Sequence, residues 1–220
     1  MNNFNKFLVK IDINLIKFYI RMKHFDINCK FEKYSKKKIF KGDVSNLSKL
    51  FCLATPEYCK IFKLLNGDIN KFINYIACKT GTELENFTTL RVKNKLIGFY
   101  SGYPSKEITQ RQLKTSLIMR NLLKKKKKIL FTKKIQLNLS SLPSVTNKSF
   151  YISRNSILKG HQKLGYGKIL LEKVFEENDQ FKSLSLHVNK KNIKAQNFYN
   201  TYGFKKISSK KKYILYMKIL

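Results

Sequence analysis

The alternation of apolar and polar positions is clearest in the C-terminal third of the chain. SFYISRNSIL is strand-like, a turn with two glycines follows, and KILLEKVFEEND has the spacing of a helix. SLSLHV alternates as a strand does. From Asn192 to Tyr202, apolar residues recur at i, i+3, i+4 and i+7 from Ala195, and Gly203 marks the helix end. YILYMKIL predicts a closing strand, so this region alternates strands and helices.

The upstream pattern predicts helices around one β-hairpin. KKIFKGDVSNLSKLFCLAT is interpreted as a short strand, a turn and a helix, with Asp43 or Ser45 as the N-cap. A second helix covers about Ile69 to Cys78, and TTLRVKNKLIGFYSGY predicts a hairpin that turns at Lys93-Asn94. Ile108 to Lys128 is helical in pattern and ends in five lysines, interpreted as a solvated helix end, while LNLSSLPSVTNKS predicts a loop.

Composition adds a strong positive charge to this picture. The chain has 220 residues, with 46 Lys and Arg against 13 Asp and Glu, a formal net charge of +33. Such a charge attracts polyanions regardless of their sequence. Asn, Lys, Ile and Phe are abundant throughout, however, and no interleaved basic and aromatic RNA-binding pattern occurs. We interpret the charge as compositional bias and expect only non-specific nucleic-acid affinity.

Cysteine usage and hydropathy bear on the compartment. Cys29, Cys52, Cys59 and Cys78 lack CxxC spacing, so we expect free thiols in a reducing compartment and no zinc site. No stretch reaches the roughly 20 uninterrupted apolar residues of a membrane-spanning helix, and the N-terminus lacks the pattern of a signal peptide. The sequence predicts a cytoplasmic protein with no membrane span.

The turn HQKLGYGK, residues 161–168, carries the most specific signal. The first amides of a helix lack intrahelical acceptors, and without Cβ atoms at Gly165 and Gly167 a phosphate could approach them closely. A P-loop is excluded because Gln162 and Ile169 stand where it requires Gly and Ser or Thr, and Leu170 excludes a dinucleotide GxGxxG fingerprint. A diphosphate cradle and a plain tight turn remain as interpretations.

Two segments resemble one family. QKLGYG resembles the Q/R-x-x-G-x-G/A signature of the GNAT acetyltransferase superfamily, and LHVNKKNIKAQNFYNTYGF resembles its second block, L-x-V-x-x-x-N-x-x-A-x-x-x-Y-x-x-x-G-F. The matching positions of the second block are Leu186, Val188, Asn192, Ala195, Tyr199, Gly203 and Phe204. Both blocks occur in the family's order and spacing. The resemblance is close from about residue 150 to 207, looser upstream, and does not cover residues 1–37.

The resemblance implies an α/β fold: a GNAT-like mixed, mostly antiparallel central sheet with splayed fourth and fifth strands, flanked by helices. It implies an acetyltransferase domain over residues 38–220, with a helical insert at 104–148 flanking the acceptor site. Residues 1–37 are an N-terminal extension without assignment. The position after the fourth strand departs from the family, since Lys159 and Gly160 replace the frequent Pro-Glu.

The resemblance also implies acetyl-CoA as acyl donor, no metal, and transfer to a primary amine of a small molecule or a protein. Pantetheine is expected along the fourth strand and the pyrophosphate on the loop. The implied cofactor-binding residues are Ser156, Ile157, Leu158, Gln162, Lys163, Leu164, Gly165, Tyr166, Gly167, Lys168 and Asn192. Tyr199 matches the catalytic tyrosine that protonates the departing thiolate, although its place on an apolar helix stripe also suits a core residue.

The general base is not identified by the sequence. No acidic residue occurs between Glu107 and Glu172, which excludes a carboxylate on the fourth strand. The remaining candidates are Glu83, Glu85, Glu107, His187 and solvent. Alternation points His187 away from the core face of its strand, which favours a bystander. Two other functions stay open: a non-catalytic acyl-CoA-binding domain, and a basic RNA- or ribosome-associated protein.

Overall fold

The computed structural model describes residues 29–35, 40–146 and 148–220, which form a seven-stranded sheet with helices on both faces. The strands are β1 (Cys29–Ser35), β2 (Asn86–Val92), β3 (Lys95–Pro104), β4 (Phe150–Ile157), β5 (Ser183–Asn189), β6 (Lys205–Lys210) and β7 (Tyr213–Ile219). The helices are α1 (Val44–Ala54), α2 (Pro56–Leu64), α3 (Ile69–Ile76), α4 (Ile108–Asn121), α5 (Lys125–Leu139), α6 (Tyr166–Glu177) and α7 (Ile193–Thr201).

The sheet order is β1-β2-β3-β4-β5-β7-β6. Every neighbouring pair is antiparallel except β4–β5, which is parallel. The predicted hairpin is confirmed as β2–β3, and its two turn residues, Lys93 and Asn94, have φ of 48° and 61°. Positive φ at both central residues is the geometry that tight hairpins favour. The predicted mixed, mostly antiparallel sheet is therefore confirmed.

Alternation along the strands divides the core into two layers. On β3, Leu96 and Phe99 join the apolar cluster that α1 to α5 bury, whereas Ile97 and Tyr100 join the cluster beneath α6 and α7. Successive strand residues point to opposite faces, and the extra residue of β3 between Leu96 and Gly98 keeps Leu96 and Phe99 on one face, so one amphipathic hairpin serves both layers. The sheet is thereby covered on both faces, and the edges and gaps between strands become the routes to its interior.

The sheet contains a first strand that the sequence did not predict. Cys29–Ser35, which the sequence placed in the N-terminal extension, pairs along its whole length with β2, so the sheet begins before the predicted boundary at residue 38. Its two lysines hide the alternation, as is common on edge strands. The predicted short strand at KKIF falls mostly on residues 36–39, and the extension on residues 1–28, outside the described residues.

The single helix predicted over Ile108–Lys128 is wrong, because the chain breaks after Asn121 and starts a new helix at Lys125. The lysine run therefore begins α5 rather than ending α4. Folding back allows Phe131 and Ile135 of α5 to enter the same apolar cluster as Met119 of α4. A straight continuation would carry those two side chains past the end of α4, so burial outweighs the cost of lysines in a first helical turn.

The central opening of the sheet lies between β4 and β5. The two strands pair only at Phe150 with Leu184 and at Tyr151 with Ser185. Beyond that point β4 pairs with β3, with one register shift between Ser101 and Gly102, and β5 pairs without interruption with β7. The predicted splay of the fourth and fifth strands is thus confirmed, and it leaves one edge of β4 without a neighbouring strand.

Candidate functional site

A cavity of about 420 Å³ occupies the opening between β4 and β5. Tyr151 to Asn155 of β4 and Leu186 to Asn189 of β5 form two walls, and Asn192, Ala195 and Tyr199 of α7 close one end. The corner between α1 and α2, residues 53–58, lines the cavity as well, with Glu57 beside Asn189 of β5. Gln112, Asn138 and Leu142 reach the cavity from the region predicted as a helical insert. The volume is typical of a small-molecule site.

The unpaired edge of β4 offers main-chain donors to this opening. The amide of Leu158 donates to the carbonyl of Ile97 on β3 at 2.8 Å. Because amides alternate along a strand, Ser156 also turns its amide towards β3, while Ile157 and Asn155 turn theirs towards the open edge. The Ser156 hydroxyl donates to the Leu50 carbonyl at 2.8 Å, which ties β4 to α1.

The glycine-bearing loop leads from β4 into α6 through two left-handed residues. Lys163 has a φ of 65° and Gly165 a φ of 83°. The amide nitrogen of Gln162's side chain donates to the Ile157 carbonyl at 2.9 Å, so the loop is fastened to the end of β4. Lys168 is the first residue whose amide donates back, to the Gly165 carbonyl at 2.9 Å. The preceding amides are the orphan donors of a helix start.

The two loop glycines differ in role. Gly165 supplies the left-handed conformation that precedes α6. A Cβ at Gly167 would lie 3.3 Å from the ring of Phe198, so this glycine lets α6 approach α7. Leu164, Lys163 and Lys168 lie at the same helix start, and Lys168 also pairs with Glu172 at 3.6 Å. The residues named from the sequence are thus brought together at one end of the opening, and their arrangement fits a diphosphate.

Tyr199 projects from α7 to the cavity and is 9% exposed. Burial raises the pKa of its hydroxyl to about 12, and a hydrogen bond with the Asn155 side chain opposes that shift. The phenol therefore keeps its proton at physiological pH and lies beside the open edge of β4. Phe198 and Phe204 pack on its ring at centroid distances of 5.3 Å. Asn192 caps α7 by accepting from the Ala195 amide at 3.1 Å.

Glu83 lies at the cavity but is engaged by its neighbours. Both carboxylate oxygens bind the guanidinium of Arg154 on β4, at 2.9 and 3.1 Å, and both residues are at most 4% exposed. The hydroxyls of Ser153 and Tyr103 donate to the same carboxylate at 2.9 and 3.1 Å. Glu85 and Glu107 bind Arg111 at 2.7 Å instead and do not line the cavity. None of the three glutamates offers a free carboxylate to a reacting amine.

His187 lines the cavity, which the sequence did not predict. It does point away from the apolar face, but that opposite face is the cavity wall. Its Nε2 donates to the Pro143 carbonyl at 2.9 Å, which leaves Nδ1 to accept from the Tyr151 hydroxyl at 3.0 Å. Burial lowers the pKa of His187 to about 4, so the imidazole is neutral near pH 7 and holds Tyr151 in place.

A disulfide joins Cys52 of α1 to Cys59 of α2, contrary to the expectation of free thiols. The cysteines are seven positions apart, and a helix-breaking corner at Thr55-Pro56 brings them together. The sequence predicted a helix that ends near Thr55 and no element at Cys59, so the pairing could not be recognised. Cys29 and Cys78 take no part in this disulfide. The cross-link joins α1 to α2 on either side of the corner that lines the cavity.

The described residues hold neither a metal-binding cluster nor a membrane-spanning helix. Among them, no group of three or more His, Cys, Asp and Glu side chains is placed to hold a metal ion. Likewise, none of the helices in residues 40–146 and 148–220 is long and apolar enough to cross a bilayer.

Comparison with known proteins agrees with this architecture. No curated protein sequence matches the chain. Among solved structures, an N-acetyltransferase from Staphylococcus aureus Mu50 is 16% identical, with a TM-score of 0.56 over 85% of this chain and 100% of that one. A GNAT family acetyltransferase from Elizabethkingia anophelis with acetyl-CoA bound is 14% identical, with a TM-score of 0.50 over 89% of this chain and 100% of that one. At these identities the likeness shows the fold. The sequence model of the Acetyltransferase (GNAT) domain matches residues 94–213, more than half of the chain, which therefore belongs to the GNAT acetyltransferase family with acetyl-CoA as its acyl donor.

Proposed function

We propose that this protein transfers the acetyl group of acetyl-CoA to a primary amine of a small acceptor bound in the cavity between β4 and β5. The observation that carries the proposal is that a protonated, buried phenol, Tyr199, meets the open edge of β4 inside one cavity of about 420 Å³. A cavity enclosed by two strands, a helix and the α1–α2 corner favours a small acceptor over a folded protein surface.

The loop and the β4 edge hold the coenzyme in this proposal. The amides from Leu164 to Gly167 bind the pyrophosphate, helped by the positive end of α6 and the charges of Lys163 and Lys168. Ser156, Ile157 and Leu158 flank the pantetheine. Of these, Ile157 presents its amide to it, while Ser156 and Leu158 fix the strand through their bonds to Leu50 and Ile97. Gln162 fastens the loop, and Asn192 fixes the start of α7.

The Tyr199 hydroxyl and the backbone amide of Asn155 act on the reacting thioester in this proposal. Bound acetyl-CoA supplies an activated thioester. The amide of Asn155, turned to the open edge, is placed to polarise the thioester carbonyl, and preorganised donors of this kind are among the largest contributions to catalysis. Tyr199 gives its proton to the thiolate sulfur as the C–S bond breaks. The side chain of Asn155, which the sequence did not single out, orients that hydroxyl.

The acceptor amine reacts in its neutral form. Glu83 is ion-paired with Arg154, and Glu85 and Glu107 are ion-paired with Arg111, so none of them is available as a general base. His187 is directed to Tyr151 and Pro143. The proton released when the C–N bond forms therefore passes to water at the cavity mouth, which was one of the routes left open by the sequence. The rate should rise with pH as the amine deprotonates.

Tyr199→Phe tests the proposal. We expect kcat for acetyl transfer to a panel of primary amines to fall on the order of 100-fold, with the Kd of acetyl-CoA changed less than about twofold, because the ring packing is kept and only the proton donor is lost. Tyr216→Phe, in the same apolar layer, is the matched control and should retain the wild-type rate. An unchanged kcat would make Tyr199 a core residue. Saturable acetyl-CoA binding without transfer to any amine would favour a non-catalytic binding domain.

A further inference from the structure

The two glutamates that line the cavity are in different electrostatic states. Glu83 receives both arms of the Arg154 guanidinium and two hydroxyl donors. Glu57, at the α1–α2 corner, accepts one hydrogen bond from the amide group of Asn189. Among the residues that the structure describes, no lysine or arginine forms an ion pair with Glu57. The α1–α2 corner of the cavity therefore carries a negative charge that no ion pair among the described residues balances, and that Asn189 and the first turn of α2 stabilise only as dipoles.

The surroundings of Glu57 are those of a cation-binding corner. Burial and the charge of Glu57 raise the pKa of the Tyr213 hydroxyl to about 12, against the effect of its hydrogen bond with Asn138, to whose side-chain oxygen it donates at 3.0 Å. Tyr58 lies next in sequence and also lines the cavity. A half-buried carboxylate and nearby phenol rings attract an ammonium group more strongly than the same groups would if they were fully exposed to water. Lys191 lines the cavity as well, but it is an exposed side chain outside ion-pair distance.

The net charge of +33 does not oppose such a ligand at short range. Mobile ions screen surface charges over about 8 Å at physiological ionic strength. Inside the cavity the nearest charges determine the potential at a bound cation, and the Arg154 charge is already balanced by Glu83. A cation that reaches the corner therefore meets Glu57 as its nearest unbalanced charge.

We infer that the acceptor carries a second, protonated amino group and that Glu57 binds this group while the first, neutral amino group faces β4. This inference rests on the proposed function for its reaction, but its binding step stands apart from turnover. One C–N bond forms and one C–S bond breaks. The attacking amine loses a proton to water, the sulfur gains one from Tyr199, Tyr199 recovers one from water, and the distal ammonium keeps its own.

Calorimetric titration tests the binding step. The probes are α,ω-diamines from 1,3-diaminopropane to 1,8-diaminooctane, each beside the monoamine of equal chain length, added to the full chain saturated with CoA. We expect the best diamine to bind at least about tenfold more tightly than its monoamine. Glu57→Gln should reduce the diamine's affinity to that of the monoamine. Glu176→Gln, an exposed glutamate on α6, is the matched control and should keep the preference.

Two results would overturn the inference: equal affinity of diamine and monoamine for the wild-type chain, or a preference that survives in Glu57→Gln. A chain that prefers diamines through Glu57 but acetylates none of them would support the inference and contradict the proposed function. A chain that acetylates monoamines and diamines equally well would support the proposed function and contradict the inference about Glu57. The two claims therefore fail separately.

Discussion

The proposed function divides the molecule into a coenzyme side, β4 through α7, and an acceptor side, α1 through α5, and the two are built on different principles. On the coenzyme side the loop, the strand edge and Tyr199 come from one segment of about residues 150–207, and its key groups are backbone amides in a set conformation. On the acceptor side Glu57, Glu83 and Asn138 come from three separate elements and meet only in the tertiary structure. The first is specified by local sequence, and the second by long-range packing.

The difference predicts where each side is vulnerable. A change of backbone conformation should weaken the coenzyme side while the domain stays folded. A change of one buried side chain should destabilise the acceptor side as a whole, because its polar groups satisfy one another.

The largest effect is expected from Arg154→Met. The change leaves the carboxylate of Glu83 buried with only hydroxyl donors, so the free energy of unfolding should fall by roughly 3–5 kcal/mol. Urea denaturation monitored by circular dichroism measures it. The double variant Arg154→Met with Glu83→Gln removes the unpaired charge and should recover part of the loss. A single variant within about 1 kcal/mol of wild type would contradict the view that this ion pair organises the acceptor side.

The same contrast explains what could be predicted from the sequence. The sheet class, the β2–β3 hairpin, α7 and the coenzyme loop follow from periodicity and from motifs whose residues are close in sequence. The Glu83–Arg154 pair joins residues 71 positions apart, and Asn155 reaches Tyr199 only across the opening of the sheet. A lone arginine inside the strand-like run SFYISRNSIL was the available signal for that pair, since a buried cation requires a partner.

Helix boundaries and side-chain exposure on the acceptor side were the least predictable features. The break between α4 and α5 depends on where Phe131 and Ile135 are buried, not on local propensity. His187 was assigned correctly to the polar face of β5, yet the sequence could not show that this face borders a cavity. Asp43 stands at the N-cap position of α1 as predicted, but its carboxylate binds Arg91 and makes no capping bond.

A pH dependence of stability comes next in size and concerns His187. Burial lowers its pKa from 6.5 to about 4, so the unfolded chain binds this proton first as the pH falls. The neutral imidazole's contribution is fully present above pH 6.5 and is lost between pH 6.5 and 4, which amounts to about 2 kcal/mol between pH 7 and 5. Urea denaturation at several pH values should show a flatter profile for His187→Gln. Tyr151→Phe retains the imidazole and should keep the slope; identical slopes for wild type and His187→Gln would refute the assignment.

The smallest effect tests the coenzyme side. Gly165 has a φ of 83°, a conformation that costs any other L-residue about 1–2 kcal/mol. Gly165→Ala should relieve that strain by rotating the loop, which turns the amides before α6 away from the pyrophosphate. We expect the Kd of acetyl-CoA in calorimetric titration to rise about tenfold, equivalent to 1.4 kcal/mol, while kcat at saturating coenzyme changes little.

Gly160→Ala is the matched control for that loop. It lies five residues earlier, its φ is not positive, and a Cβ there would meet no atom within 4 Å. Its Kd for acetyl-CoA should equal that of wild type. If both alanine variants bound acetyl-CoA as tightly as wild type, the left-handed turn at Gly165 would be a packing device for α6. The coenzyme side would then depend on side chains brought together by the fold, as the acceptor side does, and the contrast between the two regions would disappear.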